Sequence, residues 1–206
     1  MRAPSHALQL AGAPVLRAVA RPVMRPGGGD VAATLAPLLR EMARSLTTTN
    51  GMGLSAPQLG ESLRLCMLAA GTSSHLPLTM LNPRLVRTSR DTSVGWETCL
   101  SVPDYAALVT RPRRVEAEYE TLDGERVTRR LSGDAARVFQ HELDHLDGIL
   151  FTSRMHPGSF VHVSTLDVRE NKAALEALAE AQSESQSWAT TPREAPAGKR
   201  SRTNTR

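Results

Sequence analysis

Aromatic side chains make up only 3% of this 206-residue chain, so leucine, valine, alanine and methionine must fill any core. Cysteine is nearly absent. Cys66 and Cys99 are too few for a disulfide scaffold, and no secretory signal is visible, which points to a reducing compartment. No apolar run approaches the roughly 18 residues of a membrane span, so none is expected. Acidic residues are missing before Asp30, while Arg2, Arg17, Arg21 and Arg25 stand in that opening stretch. Such a composition suits an organelle transit peptide. The rival expectation, favoured by the Leu-rich segment around Val15-Leu16, is that most of this stretch already belongs to the domain. No internal repeat is present.

Hydrophobic content of 40% and charged content of 22% fit a soluble globular protein with one real core and room for a tail. The net charge of +4 is not evenly spread. From Pro192 onward there are Arg193, Lys199, Arg200, Arg202 and Arg206 against Glu194 alone. Removing these from the totals of 25 basic and 21 acidic residues leaves a neutral body of 20 and 20. A folded surface for specific DNA is therefore not expected. The tail, rich in Pro, Ser, Thr and Arg, reads as disordered; a solvated terminus is the first expectation, and contact with RNA or the ribosome the alternative.

Taken in order, residues 7–24 read as an extended, turn-like segment because of Pro14 and Pro22. Pro26 and Gly27-Gly28-Gly29 mark a loop. A helix follows to about Leu46 with Leu35, Leu38, Leu39, Met42 and Leu46 on one face; Pro37 falls in its first turn if Thr34 is the cap. Strands are expected over Leu63–Ala70, with Cys66 as a small core residue, and over Leu78–Val86, interrupted at Pro83. Residues 87–95 read as a polar connection. Asp123-Gly124, between alternating segments from Arg114 to Tyr119 and from Arg126 to Leu131, signals a hairpin. Ile149-Leu150-Phe151 reads as a short strand, His156-Pro157-Gly158 as a turn, and Leu166 to about Gln182 as a last helix.

The most specific stretch is Gln140-His141-Glu142-Leu143-Asp144-His145-Leu146-Asp147-Gly148. Ser132-Gly133-Asp134 offers capping side chains, and Ala135, Val138, Phe139, Leu143 and Leu146 form an apolar stripe at helical spacing. Gly148 suits the helix stop. On one helical face His141 and His145 can hold a single metal ion, and Glu142 can reach a water upon it. Three readings supply a third ligand. A histidine after the glycine would have to stand at 151, which is Phe. A thermolysin-like arrangement would use Glu170. The third uses a residue before the helix, Cys99, the one cysteine outside an apolar run.

Three segments in this order, GMGLSAPQ (51–58), ETCLS (97–101) and QHELDHLDG (140–148), resemble the signature of the peptide deformylase family, whose pattern reads Gly-x-Gly-Leu-Ala-Ala-x-Gln, Glu-Gly-Cys-Leu-Ser and Gln-His-Glu-x-Asp-His-Leu. The similarity runs from about Leu8 to about Asp167. It implies an α+β fold with antiparallel sheets packed around a central HExxH helix. The boundaries expected are an extension over 1–6, a deformylase domain over 7–168, a C-terminal helix over 169–184 and a basic tail over 185–206. It implies one divalent metal ion on Cys99, His141 and His145, usually ferrous iron (Fe2+), with zinc (Zn2+), nickel (Ni2+) or cobalt (Co2+) able to replace it. Glu142 would be general base and acid. Gln58, through its side-chain amide, and Leu100, through its backbone N–H, would donate to the oxyanion. Gly53 would pair with an extended substrate backbone. The activity implied is removal of the N-formyl group from the initiator methionine of nascent polypeptides, releasing formate.

Met52 and Val138 are candidates for the methionine pocket, and Glu97 with Arg111 for an ion pair bracing the Cys99 segment. His6, His75, His156 and His162 have no motif partners. Two departures from the family pattern stand out. Ser55 replaces Ala and adds a hydroxyl near the loop. Thr98 replaces Gly, which means strain if that position needs positive φ and only added bulk if it is extended. Thr98 is the sole support for an alternative, a catalytically weak or inactive metal-binding homologue. A thermolysin-like zinc peptidase using Glu170 is the other. The segment from Asp147 to Phe160 looks more like organellar members than bacterial ones. With the acid-free opening it points to the mitochondrion; a bacterial cytoplasmic enzyme is the alternative.

Overall fold

A computed structural model describes residues 7–25, 30–69 and 77–166. The expected extension over 1–6, the C-terminal helix over 169–184, the tail over 185–206 and Glu170 lie outside the described residues.

Apolar residues three and four apart build the first helix, α1, Val31–Thr49, which buries Val31, Leu35, Leu38, Met42 and Leu46. Asp30 caps it by accepting the Ala33 N–H at 3.0 Å. The cap therefore lies four residues before Thr34, whose hydroxyl turns back to the Asp30 carbonyl. Pro37 in consequence sits inside the helix, not in its first turn. It is tolerated there because it faces solvent, where water can take the Ala33 carbonyl that a proline cannot bond. Asn50, at φ 51°, closes the helix in the left-handed conformation.

Strands β1 (Gly53–Ser55), β2 (Leu65–Leu68), β3 (Leu78–Thr88), β4 (Thr92–Cys99), β5 (Val102–Pro112), β6 (Arg114–Glu120), β7 (Arg126–Ser132) and β8 (Val161–His162) make two sheets. The first runs β1-β2-β3-β6-β7 and the second β4-β5-β8, with every pairing antiparallel. The β3 ladder shifts register between Leu81 and Arg84, around Pro83, with Asn82 at φ 48°. The β6–β7 hairpin turns at Gly124, φ 93°. Residues 87–95 are mostly strand rather than connection. Thr92, Ser93 and Val94 pair with Pro112, Arg111 and Thr110, partners that local polarity does not reveal. The strand expected at Ile149–Phe151 is replaced by a 3-10 turn, Phe151–Ser153. Leu150 and Phe151 there anchor a small cluster with Leu16, Cys99 and Val109.

Helix α2, Gly133–Leu146, packs on the five-stranded sheet through Val138, Phe139, Leu143 and Leu146. It is buried on all sides from Val138 to Leu146 and is the centre of the α+β fold. Ser132 stands at its N-cap without a side-chain bond, and Asp134 places an acid in the first turn, where the helix dipole favours it. At its far end Gly148 has φ 73°, and a Cβ there would lie 2.8 Å from the Arg17 carbonyl carbon. This close approach seats the opening segment, with the Ala20 N–H on the Leu146 carbonyl at 2.8 Å and Leu16, Ala20 and Val23 buried. The acid-free stretch from Ala7 to Arg25 is thus part of the domain.

Candidate metal centre and groove

Helical spacing puts His141 and His145 on one face of α2, with ring centroids 4.9 Å apart. Cys99 ends β4 just before the two-residue turn Leu100–Ser101, because Cys99 pairs with Val102 across it. The turn aims the thiol at the helix, and Sγ lies 3.2 Å from His145 Nε2. The ligand atoms of Cys99, His141 and His145 all lie within 4.8 Å of one another, and all three residues are buried. Glu170, outside the described residues, cannot be placed against them.

A buried polar helix face must find partners. Glu97 serves two of its residues, Arg137 and His141. Its carboxylate accepts two bonds from Arg111 at 2.9 and 3.0 Å, one from Arg137 at 3.0 Å and one from His141 Nδ1 at 3.0 Å. Burial opposes ionisation of Glu97, but the bonds from His141 and Arg111 hold its carboxyl well below the usual carboxylate range. Arg111 also donates to Asp144 at 2.6 Å, and Asp144 accepts two further bonds from Arg154. Gln140 donates to the Pro112 and Ala136 carbonyls. With Nδ1 engaged by Glu97, Nε2 is the atom His141 has left to ligate.

Three buried side-chain atoms among the described residues have no partner: Glu142 Oε2, His145 Nδ1 and Trp96 Nε1. The first belongs to the residue that follows His141 on α2. Burial raises the Glu142 carboxyl to about 7, opposed by His141 and reinforced by Glu97. Burial, with His141 adding to it, pushes His145 well below the usual imidazole range, leaving it neutral and fit to ligate. One thiol and two imidazoles suit zinc or ferrous iron, and an unpartnered carboxylate oxygen beside them suits a proton acceptor. The residues therefore fit a divalent ion.

Gly53 explains how Glu142 is accommodated. A Cβ at position 53 would lie 2.5 Å from Glu142 Oε1 and 2.6 Å from Val138 Cγ1. Beyond Gly53, Gln58 is almost wholly buried. Its Oε1 accepts the Ser55 N–H at 2.9 Å and the Ser55 hydroxyl at 3.0 Å. Its Nε2 faces Cys99 Sγ at 3.5 Å and Ser101 Oγ at 3.3 Å.

These residues open onto a groove of about 540 Å³, lined among others by Gly53, Gln58, Leu100, Val138 and Glu142. Met52 is 49% exposed and belongs to its rim; Val138 is buried within it. Thr98 is exposed on the wall. It is not among the positive-φ residues, so it adds bulk without backbone strain. Sequence reasoning did not single out Ser101, Arg137, Asp144 or Arg154. Ser101 and Asp144 stand inside quoted motifs, and Arg137 is one turn before His141, where a buried helix has no room for an unpaired charge.

The polypeptide deformylase family model matches residues 6–160. The peptide deformylase of Thermotoga maritima is 35% identical over 152 residues, covering 74% of this chain and 88% of that protein. A crystal structure of peptide deformylase from the same organism superposes with a TM-score of 0.67 at 35% identity, over 74% of this chain and 98% of that one. A class I type b peptide deformylase from Acinetobacter baumannii, solved with Met-Ala-Ser bound, gives a TM-score of 0.65 at 33% identity, over 72% and 96% of the two chains.

Proposed function

The chain belongs to the peptide deformylase family of metal-dependent amide hydrolases, and on that premise we propose how its residues divide the work of removing the formyl group from the initiator methionine of nascent chains. One observation carries the reading: Cys99, His141 and His145 converge beside a buried Glu142 at the inner end of a groove. Cys99, His141 and His145 would hold one divalent ion, ferrous iron in the cell and replaceable by zinc, nickel or cobalt, which would supply Lewis acidity and a water made easier to deprotonate.

Glu142 Oε2, which has no other partner, takes a proton from the attacking water and returns it to the amine nitrogen as the C–N bond breaks. Burial raises the Glu142 carboxyl above the usual carboxylate range, which favours its acting as both acceptor and donor. Gln58 Nε2 and the Leu100 N–H donate to the formyl oxygen as it gains charge. Formate and a free methionyl amine are the products. The peptide lies extended along β1, an edge strand of its sheet, with Gly53 offering its backbone. Val138 and the rim residue Met52 flank the methionine side chain. Glu97 and Arg111 hold His141 and the Cys99 strand. The Met-Ala-Ser bound to the Acinetobacter relative supports a groove for a short methionyl peptide.

The test is formate release from formyl-Met-Ala-Ser by protein prepared without oxygen and loaded with ferrous iron, beside Glu142→Ala. Release that vanishes in the variant is the expected result; no release from stoichiometrically metallated protein overturns it. In the same preparations Cys99→Ala should lose the metal and Glu170→Ala should keep it, and the reverse would restore the thermolysin-like arrangement. A mitochondrial location also belongs to this proposal. Because Ala7–Arg25 is folded domain, it now rests on the sequence from Asp147 to Phe160, and recovery of the native protein outside mitochondria would overturn it. Ribosome contact through the basic tail predicts salt-sensitive co-sedimentation that is lost on removing residues 185–206.

A further inference from the structure

A buried hydroxyl that the mechanism above leaves unused sits against the oxyanion donor. Ser55 is fully buried, and so, to within 2%, is Gln58. A glutamine amide can settle in two senses, related by a half-turn about its last torsion, and only one aims Nε2 at the reacting atoms. Here the Ser55 N–H and the Ser55 hydroxyl both point at Oε1, at 2.9 and 3.0 Å. Nε2 is thereby turned toward Cys99 Sγ and Ser101 Oγ, both acceptors. A flipped amide would set its NH2 against the Ser55 backbone N–H, donor against donor.

The backbone bond settles the sense of the amide but gives its oxygen a single donor, while the Nε2 contacts are long, at 3.5 and 3.3 Å. The hydroxyl is a second donor to the same oxygen and fixes it more tightly. Ser55 and Gln58 also close a capping box across the 3-10 turn Ala56–Leu59, with Pro57 in its first positions. Donor and acceptor are thus held in one stiff four-residue unit, rooted in β1 by the pairing of Ser55 with Cys66.

From this double donation we infer that Ser55 is a positioning residue for the reaction: its hydroxyl locks the Gln58 amide with Nε2 toward the formyl oxygen, without touching substrate. The inference rests on the role proposed above for Gln58. It also gives the Ser in place of the family Ala a task beyond filling space.

Ser55→Ala removes one donor and keeps the fold. Because misplacing a reacting group by a fraction of an ångström to one ångström costs up to about a hundredfold, kcat for formyl-Met-Ala-Ser should fall about tenfold, with KM within about twofold. In a Gln58→Ala background the same change should cost nothing further. A second readout needs no turnover: in zinc-loaded protein labelled with ¹⁵N, the Gln58 side-chain NH2 protons should be protected from solvent exchange, and in Ser55→Ala they should shift and exchange with water faster. Wild-type kcat in Ser55→Ala beside a slow Gln58→Ala, an undiminished Ser55→Ala loss in the Gln58→Ala background, or unchanged amide signals would each overturn the inference. If the wild type releases no formate, the deformylase mechanism falls, and the amide signals alone still decide whether Ser55 sets Gln58.

Discussion

Replacing Gly53 by alanine adds one methyl group at the point where β1 meets α2. That methyl would stand 2.5 Å from Glu142 Oε1, 2.6 Å from Val138 Cγ1 and 2.9 Å from Glu142 Cγ. Ordinary contact begins at 3.4 Å, so the carboxylate must retreat by about 0.9 Å. Val138 and Glu142 are one turn apart on a helix buried on all sides, and neither can step away without moving the other or the strand. Overpacking of this kind costs about 1–3 kcal/mol of stability, which a domain of this size shows as a modest fall in Tm. The effect on chemistry is larger, because a shift near 1 Å in a reacting group costs about a hundredfold. Gly53→Ala should therefore bind its metal, melt a few degrees lower, and lose about two orders of magnitude in kcat. Steady-state formate release on formyl-Met-Ala-Ser and on a shorter formyl-methionyl amide separates two roles for the glycine. If Gly53 only admits the substrate backbone, KM rises and kcat holds, most visibly with the longer peptide. If it makes room for Glu142, kcat falls for both. A Gly53→Ala enzyme with kcat within twofold of wild type would refute the steric reasoning.

Arg111→Met should lower stability by about 3 kcal/mol, the low end for a broken buried pair, because Glu97 keeps Arg137 and His141 while Asp144 keeps Arg154. Thermal melts should fall by roughly 6–12 °C, and a shift under about 2 °C would mean that the pair contributes no net stability. Thr98→Gly should not stabilise the protein, since Thr98 is unstrained; glycine in a strand costs about 0.5–1 kcal/mol, and kcat should change less than about threefold. A stabilised variant, or a gain in kcat beyond tenfold, would mean that Thr98 is strained or obstructs the groove.

The local parts of this molecule were legible in its sequence because each is fixed within a few residues. The HExxH face, the Asp-Gly hairpin and the apolar stripe of α1 depend on spacing alone. The sequence leaves the cap of α1 open because Asp30 and Thr34 are both good caps, and only the fold shows that Thr34 spends its hydroxyl on the Asp30 carbonyl. β5 and the first half of β4 were missed because each is stabilised by the other, across a ladder that local polarity does not announce. The same holds at the site. Cys99 and the histidines are found by motif, but Arg137 and Asp144 look like solvated charges on a helix until β4 and β5 are folded over them. The Ser55 hydroxyl reads as a mild addition near the loop, and only its direction gives it a task.

The charges around Glu97 make sense as geometry more than as stability. Two carboxylates and two guanidinium groups drawn into a core, Glu97 and Asp144 with Arg111 and Arg137, rarely outdo well-packed apolar residues in net stability. Their arrangement does what apolar packing cannot. Cys99 comes from a strand and His141 and His145 from a helix, 42 and 46 residues later, with no main-chain ladder between these elements. Glu97 is two residues from Cys99 and bonds His141 directly, so one carboxylate fixes the strand's ligand and the helix's ligand to each other. It also selects the His141 tautomer that leaves Nε2 free. Arg137 ties the helix to the Ser93 and Val109 carbonyls of the second sheet, and Arg111 ties that sheet to Asp144 on the helix. The two elements that must meet at the metal are thus held to each other by directional bonds at both ends of the contact.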